Sequence, residues 1–432
     1  MCGSLLAPFS AHGFEFGLRP SLQDINYIHA ETVDGSSRDF VTLIATAIQR
    51  ADVVQAAAAR WQAETIGIEA SIGEELPSGA LYGQIGAANG KSQKPYSYGV
   101  RVSVPIFDGF SAANATAAQR ATSEASHHAA LDELAATLVD LVAAAAAIRR
   151  ETETLAIRQT QLKVAKELLA AIANEEKAGL ASKVDRDQVE SQLAQIRIDI
   201  KSADSARLEA MESFAKIAGA APSRVGAIGS IADELPPNAD AGLEVALAEN
   251  PQLAQQIGLA DAAALKTKSL EGSLGPAVSL DLSAGVTGDF DNAVAEATDL
   301  RAALKLEVPI AFGRDASVRK SALNAQAAAF EVNAARNGVT AGLRSAYKRL
   351  DNTRASLKLA NEALERARTV RTGMAVERTL GQRSIFEILS AQKAFAEAQI
   401  QVLGVRYDLT VAEHLLAAQL GRLDDIYGVT LR

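Results

Sequence analysis

The chain has little of what an enzyme or a compact cross-linked domain is built from. Cys2 is its only cysteine in 432 residues, so no intrachain disulfide can form and cysteine pairing says nothing about redox compartment. Its five histidines, His12, His29, His127, His128 and His414, stand at no metal-ligand spacing with carboxylates or with Cys2. The pair His127-His128 lies in a helical stretch, where neighbours point to different faces, and is expected at the surface. Gly285 and Gly288 lack the strand-loop-helix context of a phosphate cradle. No nucleophile, base and orienter form a set, so neither catalysis nor a cofactor is expected.

Aromatics make up only 5% and prolines number 11, most of them at strand or loop positions. With alanine and leucine abundant, this is the composition of long helices packed closely through small side chains. The longest apolar run in a helical stretch, Leu141 to Ile148, falls well short of the ~18 to 20 residues that cross a bilayer as a helix. The net charge is −9 with both signs interspersed and no basic cluster, which argues against nucleic acid as a partner.

What the chain does have is a duplication. Val104-Pro105-Ile106-Phe107-Asp108-Gly109 returns as Val308-Pro309-Ile310-Ala311-Phe312-Gly313, an offset of 204. Pro77 and Pro276 stand 199 apart, Gly179 and Gly381 stand 202 apart, and so do Gly219 and Gly421. A period of this length is far beyond the ~20 to 50 residues of solenoid repeats, so each copy is a multi-element unit packed beside its twin.

Each copy places strands before its Val-Pro. Tyr98, Val100, Val102, Val104 and Ile106 alternate with Gly99, Arg101 and Ser103. The twin sets Ala302, Leu304, Leu306, Val308 and Ile310 against Ala303, Lys305 and Glu307, and a third stretch sets Val278, Leu280, Leu282, Ala284 and Val286 against Ser279, Asp281, Ser283 and Gly285. The stretch from Ala80 to Ala88 is weaker. Alternation of this kind fits a soluble sheet with one buried face. The strand length of about 9 to 10 residues, with charge confined to one face, also fits a tilted membrane strand. Four such strands cannot close a barrel alone.

Helix signals take over after each Val-Pro. Leu131, Leu134, Leu138, Leu141, Ala145 and Ile148 are spaced 3, 4, 3, 4, 3, and Leu155, Leu162 and Leu169 continue in heptads. Leu343, Tyr347, Leu350, Leu357 and Leu364 hold the same register in the second copy. From Ser111 to Ala178 such a helix is about 100 Å long at 1.5 Å per residue. Gly179 ends it, Ser182 caps a return helix, and Gly381 and Ser384 repeat the turn. Both turns, Gly179-Leu180-Ala181-Ser182 and Gly381-Gln382-Arg383-Ser384, carry an acid six residues after the glycine, Asp185 and Glu387. Acids there are ordinary helix caps favoured by the macrodipole, or they ring an opening at the end of a tube.

These readings divide the chain into a leader (1–39), a first repeat (40–232) opening with one helix from about Phe40 to Ala70, a linker with Pro236-Pro237-Asn238 (233–240), a second repeat (241–423) and a tail (424–432). The first 13 residues read as a trimmed secretory signal, as a lipoprotein start at Cys2, or as an ordinary segment with a free thiol.

Taken together, the paired Val-Pro-Ile, the Ala-x-x-x-Asn-Pro at Ala246 to Pro251, and the Gly-x-x-Ser turns followed by Ala391-Gln392 resemble the TolC-type outer membrane efflux and secretion channels, over about Phe40 to Leu423. The resemblance implies an α+β membrane protein made of tandem strand-strand-helical-hairpin units. It implies a homotrimer with a twelve-stranded β-barrel in outer membrane lipid and a long periplasmic helical barrel. It also implies docking, through Gly179, Leu180, Ser182, Gly381 and Ser384, to a periplasmic adaptor (membrane fusion) protein and an inner-membrane ABC or RND transporter. Carried over by position, Asp185 and Arg383 match an acid and a base that link neighbouring hairpins at the closed tip, and Glu387 matches an acid of the constricting ring. Arg378 stands where some members have an aromatic, and Ser390 replaces a second ring acid. Arg101, Asp281, Lys305 and Glu307 would line the barrel lumen. The second turn looks more like protein-secretion members than drug-efflux members. A soluble structural coiled-coil protein is the alternative reading.

Overall fold

The computed structural model describes residues 28–30, 38–86, 95–289, 292–310 and 312–431; the leader readings, Cys2 included, lie outside them. In chain order the elements are β1 (Ile28–Ala30), α1 (Arg38–Ile48), α2 (Asp52–Glu75), β2 (Ser78–Ile85), β3 (Pro95–Phe107), α3 (Ser111–Lys177) and α4 (Lys183–Ala218). The second copy gives α5 (Ala239–Glu249), α6 (Pro251–Gly272), β4 (Ala277–Asp289), β5 (Asn292–Glu307), α7 (Arg314–Thr379), α8 (Ile385–Leu420), α9 (Leu423–Tyr427) and β6 (Val429–Leu431). A short 3-10 turn at Ala232–Glu234 lies between α4 and α5.

The single opening helix is in fact two in each copy. In the second, Asn250 ends α5 and caps α6 through its side chain, accepting from the Leu253 amide at 3.0 Å, with Pro251 in the first turn. A proline there forfeits only an N–H that has no helical partner anyway. Ala51 does the same job in the first copy with no capping side chain, which is why composition alone leaves that break invisible.

Apart from β1, which pairs antiparallel with β6, the strands form one antiparallel sheet in the order β2-β3-β4-β5. Three of them are longer than alternation suggests, at 13, 13 and 16 residues. β5 ends at Glu307, so Val308 and Ile310 leave the sheet. In β3 the register shifts between Pro105 and Phe107, and Phe107 pairs with Val278. A bulge of this kind re-aims a side chain, and it brings Phe107 to the face that carries Val278, Leu280 and Leu282.

The helices pack in two tiers. Next to the sheet the order is α2, α3, α6, α7; at the far end it is α4, α3, α8, α7. The main core lies where the tiers meet, around Ile44, Ile48, Leu134, Leu138, Leu141 and Phe214. Leu343, Tyr347, Leu350, Leu416 and Leu420 form the matching cluster of the second copy. Gly421 adopts φ +76°, and a Cβ there would fall 2.3 Å from the Glu249 carbonyl oxygen, so the chain closes tightly against the end of α5. His127 is half-buried against Trp61, with ring centroids 4.4 Å apart, rather than standing free at the surface.

Leu134, Leu141 and Leu350 are almost wholly shielded from solvent. Each Leu→Ala change is therefore expected to destabilise by about 2 to 5 kcal/mol through lost contacts and a residual cavity. A Leu155→Ala change, at a heptad position only half-buried in the protomer, should cost clearly less. Equilibrium unfolding in urea separates these outcomes.

Candidate functional site at the two ends of the molecule

At the hairpin tips the two turns are built alike. Gly179 and Gly381 both adopt φ +75°, a left-handed conformation that glycine enters without steric cost. Each closes a Schellman motif. Leu180 N–H donates to Glu175 O at 2.8 Å and Gly179 N–H to Glu176 O at 3.0 Å; in the twin, Gln382 N–H donates to Glu377 O at 3.0 Å and Gly381 N–H to Arg378 O at 2.9 Å. Ser182 and Ser384 then start the return helices with reciprocal capping boxes to Asp185 and Glu387. Leu180 and Leu380 project from the turns, 80% and 67% exposed.

The capping geometry fixes the state of both acids. Bonds from the Ser182 backbone and hydroxyl hold the Asp185 carboxyl below its ordinary range. The Ser384 backbone amide, then Arg383, do the same for Glu387. Arg383 bridges Glu377 at 2.6 Å and Glu387 at 2.8 Å, and these partners raise its already high pKa.

Within the protomer the expected pair of Asp185 and Arg383 is therefore not formed: the acid is engaged by its own cap, and the base by two acids of its own hairpin. At the turns themselves the two hairpins are joined by Arg378, and further up by Arg158 of α3, which pairs with Glu397 of α8 at 2.8 Å. The Arg378 guanidinium pairs with Glu175 of α3 and donates to the Arg383 carbonyl oxygen at 2.9 Å. Glu175 and Glu377 each lie four residues before a turn glycine, so the 202-residue offset connects them. Sequence reading placed Arg378 at the tip but missed both glutamates. It also missed Arg186, which ties the first hairpin to Glu176 at 3.0 Å.

At the sheet end, register places Arg101, Asp281, Lys305 and Glu307 on one face, together with Asp299 and Arg301. Asp281 accepts from Ser103 at 2.6 Å, and Lys305 bridges Glu307 at 2.6 Å. Arg101 lies over the Tyr82 ring at 5.3 Å. Tyr82 in turn lies across Gly285, where a Cβ would meet its hydroxyl at 2.6 Å. The opposite face carries Val100, Val102, Val104, Leu280, Leu282, Leu300, Leu304 and Leu306. Much of it is open, with Leu300 at 83% and Leu304 at 70% exposure.

If Arg378 sets the spacing of the hairpins, spin labels at Leu180→Cys and Leu380→Cys should give one narrow distance distribution, measured by double electron-electron resonance in a Cys2→Ser background. Arg378→Ala and Glu175→Gln should each broaden it. A half-exposed pair contributes on the order of 1 kcal/mol or less, so a widened distribution rather than unfolding is expected.

The profile of the outer membrane efflux protein family matches twice, over residues 43–220 and 242–422. Outer membrane efflux protein BepC of Brucella suis biovar 1 (strain 1330) is 24% identical over 335 residues, which is 75% of this chain and 72% of BepC. The crystal structure of CusC superposes with a TM-score of 0.78 at 16% identity, covering 89% of this chain and 92% of CusC. The Campylobacter jejuni CmeC outer membrane channel gives 0.76 at 12% identity, with 94% of each chain covered. The chain belongs to the outer membrane efflux protein family, and is an outer membrane channel of tripartite export systems, with a periplasmic helical extension, rather than an enzyme.

Proposed function

We propose that three copies of this chain form a passive exit duct, with the sheets joined into one twelve-stranded barrel and the helices into one tunnel. One observation carries the reading: β2 and β5 are both free edges of a sheet that has an open apolar face. Unpaired backbone groups cannot face hydrocarbon, and closure removes every edge. The tiers support the same assembly, because α2 and α4 flank one side of the protomer and α7 flanks the other, in step with the two strand edges. Aromatics stand at both ends of the apolar band, with Tyr96 and Tyr98 stacked 6.3 Å apart at one end and Phe107 against Phe110 at the other. The band between them is roughly 23 Å high for strands tilted ~40°, a fit to the apolar belt of a membrane barrel.

In this assembly Arg101, Asp281, Lys305 and Glu307 line water, and the glycine turns meet the periplasmic adaptor, behind which stands an ABC or RND transporter. Conduction needs no chemistry in the duct, and the partner supplies the energy. Asp185 and Arg383 would meet across neighbouring protomers, and Glu387 would contribute one acid per chain to the ring at the tip.

For cargo we favour protein, on the likeness of the second turn, Leu380 to Leu389, to secretion members. Small-molecule efflux is the second reading, favoured by the likeness to BepC, an outer membrane efflux protein. A strain lacking the chain should retain a secreted protein inside the cell while keeping its tolerance of small toxic compounds. The opposite pair of results assigns the duct to small-molecule efflux.

The face assignment is tested in the membrane. Leu282→Arg places a cation on the lipid side of mid-sheet, at a cost of ~2 to 4 kcal/mol, and should reduce heat-modifiable trimer in outer membranes. Ser103→Arg, on the other face beside Asp281, should leave trimer at the wild-type level. Equal damage from the two variants would sink the assignment.

A further inference from the structure

The lower edges of the protomer carry two stripes that match each other. On α7 the residues turned toward α8 recur at heptad spacing: Leu343, Leu350, Leu357 and Leu364, with Ala346, Thr353 and Ala360 between them, all buried or half-buried. Half a turn away, on the side facing out of the protomer, stand Lys348, Glu362 and Val376, all exposed. They are fourteen residues apart, two full heptads, so they hold one face along a supercoiled helix.

α4 has the counterpart. Its inward positions are Val189, Ile196, Ala203 and Ala210. Its outward stripe is Val184, Ile198 and Glu212, again fourteen residues apart and all exposed. Lys201 lies within one turn of Ile198 on the same side. Among the described residues, the side chains of Lys348, Glu362, Lys201 and Glu212 have no hydrogen-bond or ion-pair partner.

The two stripes share a register. Arg378 bonded to Glu175 holds both turns at one level, so distance along a helix can be counted from the turn glycines. Lys348 lies 33 residues before Gly381, and Glu212 lies 33 residues after Gly179. Glu362 lies 19 before and Ile198 19 after; Val376 lies 5 before and Val184 5 after. Lys201 is three residues further along, about 4.5 Å at the helical rise, well within reach of the Glu362 side chain. Cation therefore meets anion about 50 Å from the tip, anion meets cation midway, and valine meets valine beside it.

We infer that α7 of one protomer docks along α4 of the next, in the register Lys348 to Glu212, Glu362 to Lys201 and Val376 to Val184. The occupant of each stripe is a second copy of this chain. The inference rests on the three-copy duct and adds what that reading leaves open, namely which residues set the seam and its height. The opposed order of the charges along the seam makes it selective: a slip of two heptads brings Lys348 to Ile198 and Glu362 to Val184, leaving both charges against apolar side chains. Exposed pairs contribute little individually, but the slipped register carries an uncompensated charge at every step.

Disulfide trapping tests the register. In the full chain with Cys2→Ser, the pair Lys348→Cys with Glu212→Cys, and separately Val376→Cys with Val184→Cys, should oxidise in outer membranes to species of two and three chains that reductant collapses. Each single variant should give none, because identical positions lie far apart around a three-fold axis. α4 and α7 stand on opposite sides of one protomer, so the bond can form only between chains. A charge exchange gives an independent readout. Glu362→Lys and Lys201→Glu should each lower the dissociation temperature of the assembly by several degrees, and the double variant should recover at least half of the loss. An intact wild-type trimer that shows neither trapping nor recovery would overturn the seam while leaving the duct in place. A wild-type chain that is monomeric in detergent would overturn both.

Discussion

The whole structure depends on the demand that a backbone in hydrocarbon leave no hydrogen-bonding group unpaired. β3 and β4 meet that demand from within the chain, but β2 and β5 each offer an open edge. Copies of the chain must supply the missing partners. From that requirement follow the long strands, the outward apolar face from Val100 to Leu306, and the confinement of charge to the face that carries Arg101, Asp281 and Lys305. The helices inherit the same geometry, because α3 and α7 leave the sheet directly from β3 and β5. What is an edge in the sheet is an edge in the tunnel.

The far end answers a different physical need. Two helices of 67 and 66 residues must each reverse sharply and still present a defined surface. Glycine at φ +75°, a Schellman closure and a serine capping box achieve this twice with nearly the same distances. Within the protomer Asp185 and Glu387 cap their own return helices, and their lowered pKa reflects those bonds, with Arg383 added at Glu387, rather than a poised catalytic group. The bond that couples the two turns uses residues outside the caps, Arg378 and Glu175.

Much of this was legible in the residues. The 202-residue spacing of Gly179 and Gly381 gave both turns, and the 3-4 spacing of leucines from Leu131 to Ile148 gave the core face of α3, because local capping and heptad packing act through neighbours in sequence. The break at Ala51 was not legible, since alanine carries no capping group. The bulge beyond Pro105 was hidden because alternation looks unbroken until the partner strand is known. The tip was read in part: Arg378 was placed there, but its partner lies 203 residues away, and within the protomer Asp185 and Arg383 each engage residues of their own hairpin. Ion pairs across elements depend on which side chains are already satisfied, and that is a property of the fold.

The central claim is that open edges force closure by three copies. Mass measurement of the purified full chain, by native mass spectrometry from detergent and again after transfer to lipid nanodiscs, tests it most directly. The account predicts a species of three 45.2 kDa chains in both, dissociating only with loss of the strand signal in circular dichroism. A monodisperse single chain in plain buffer, with its strands intact and no need of detergent, would contradict it.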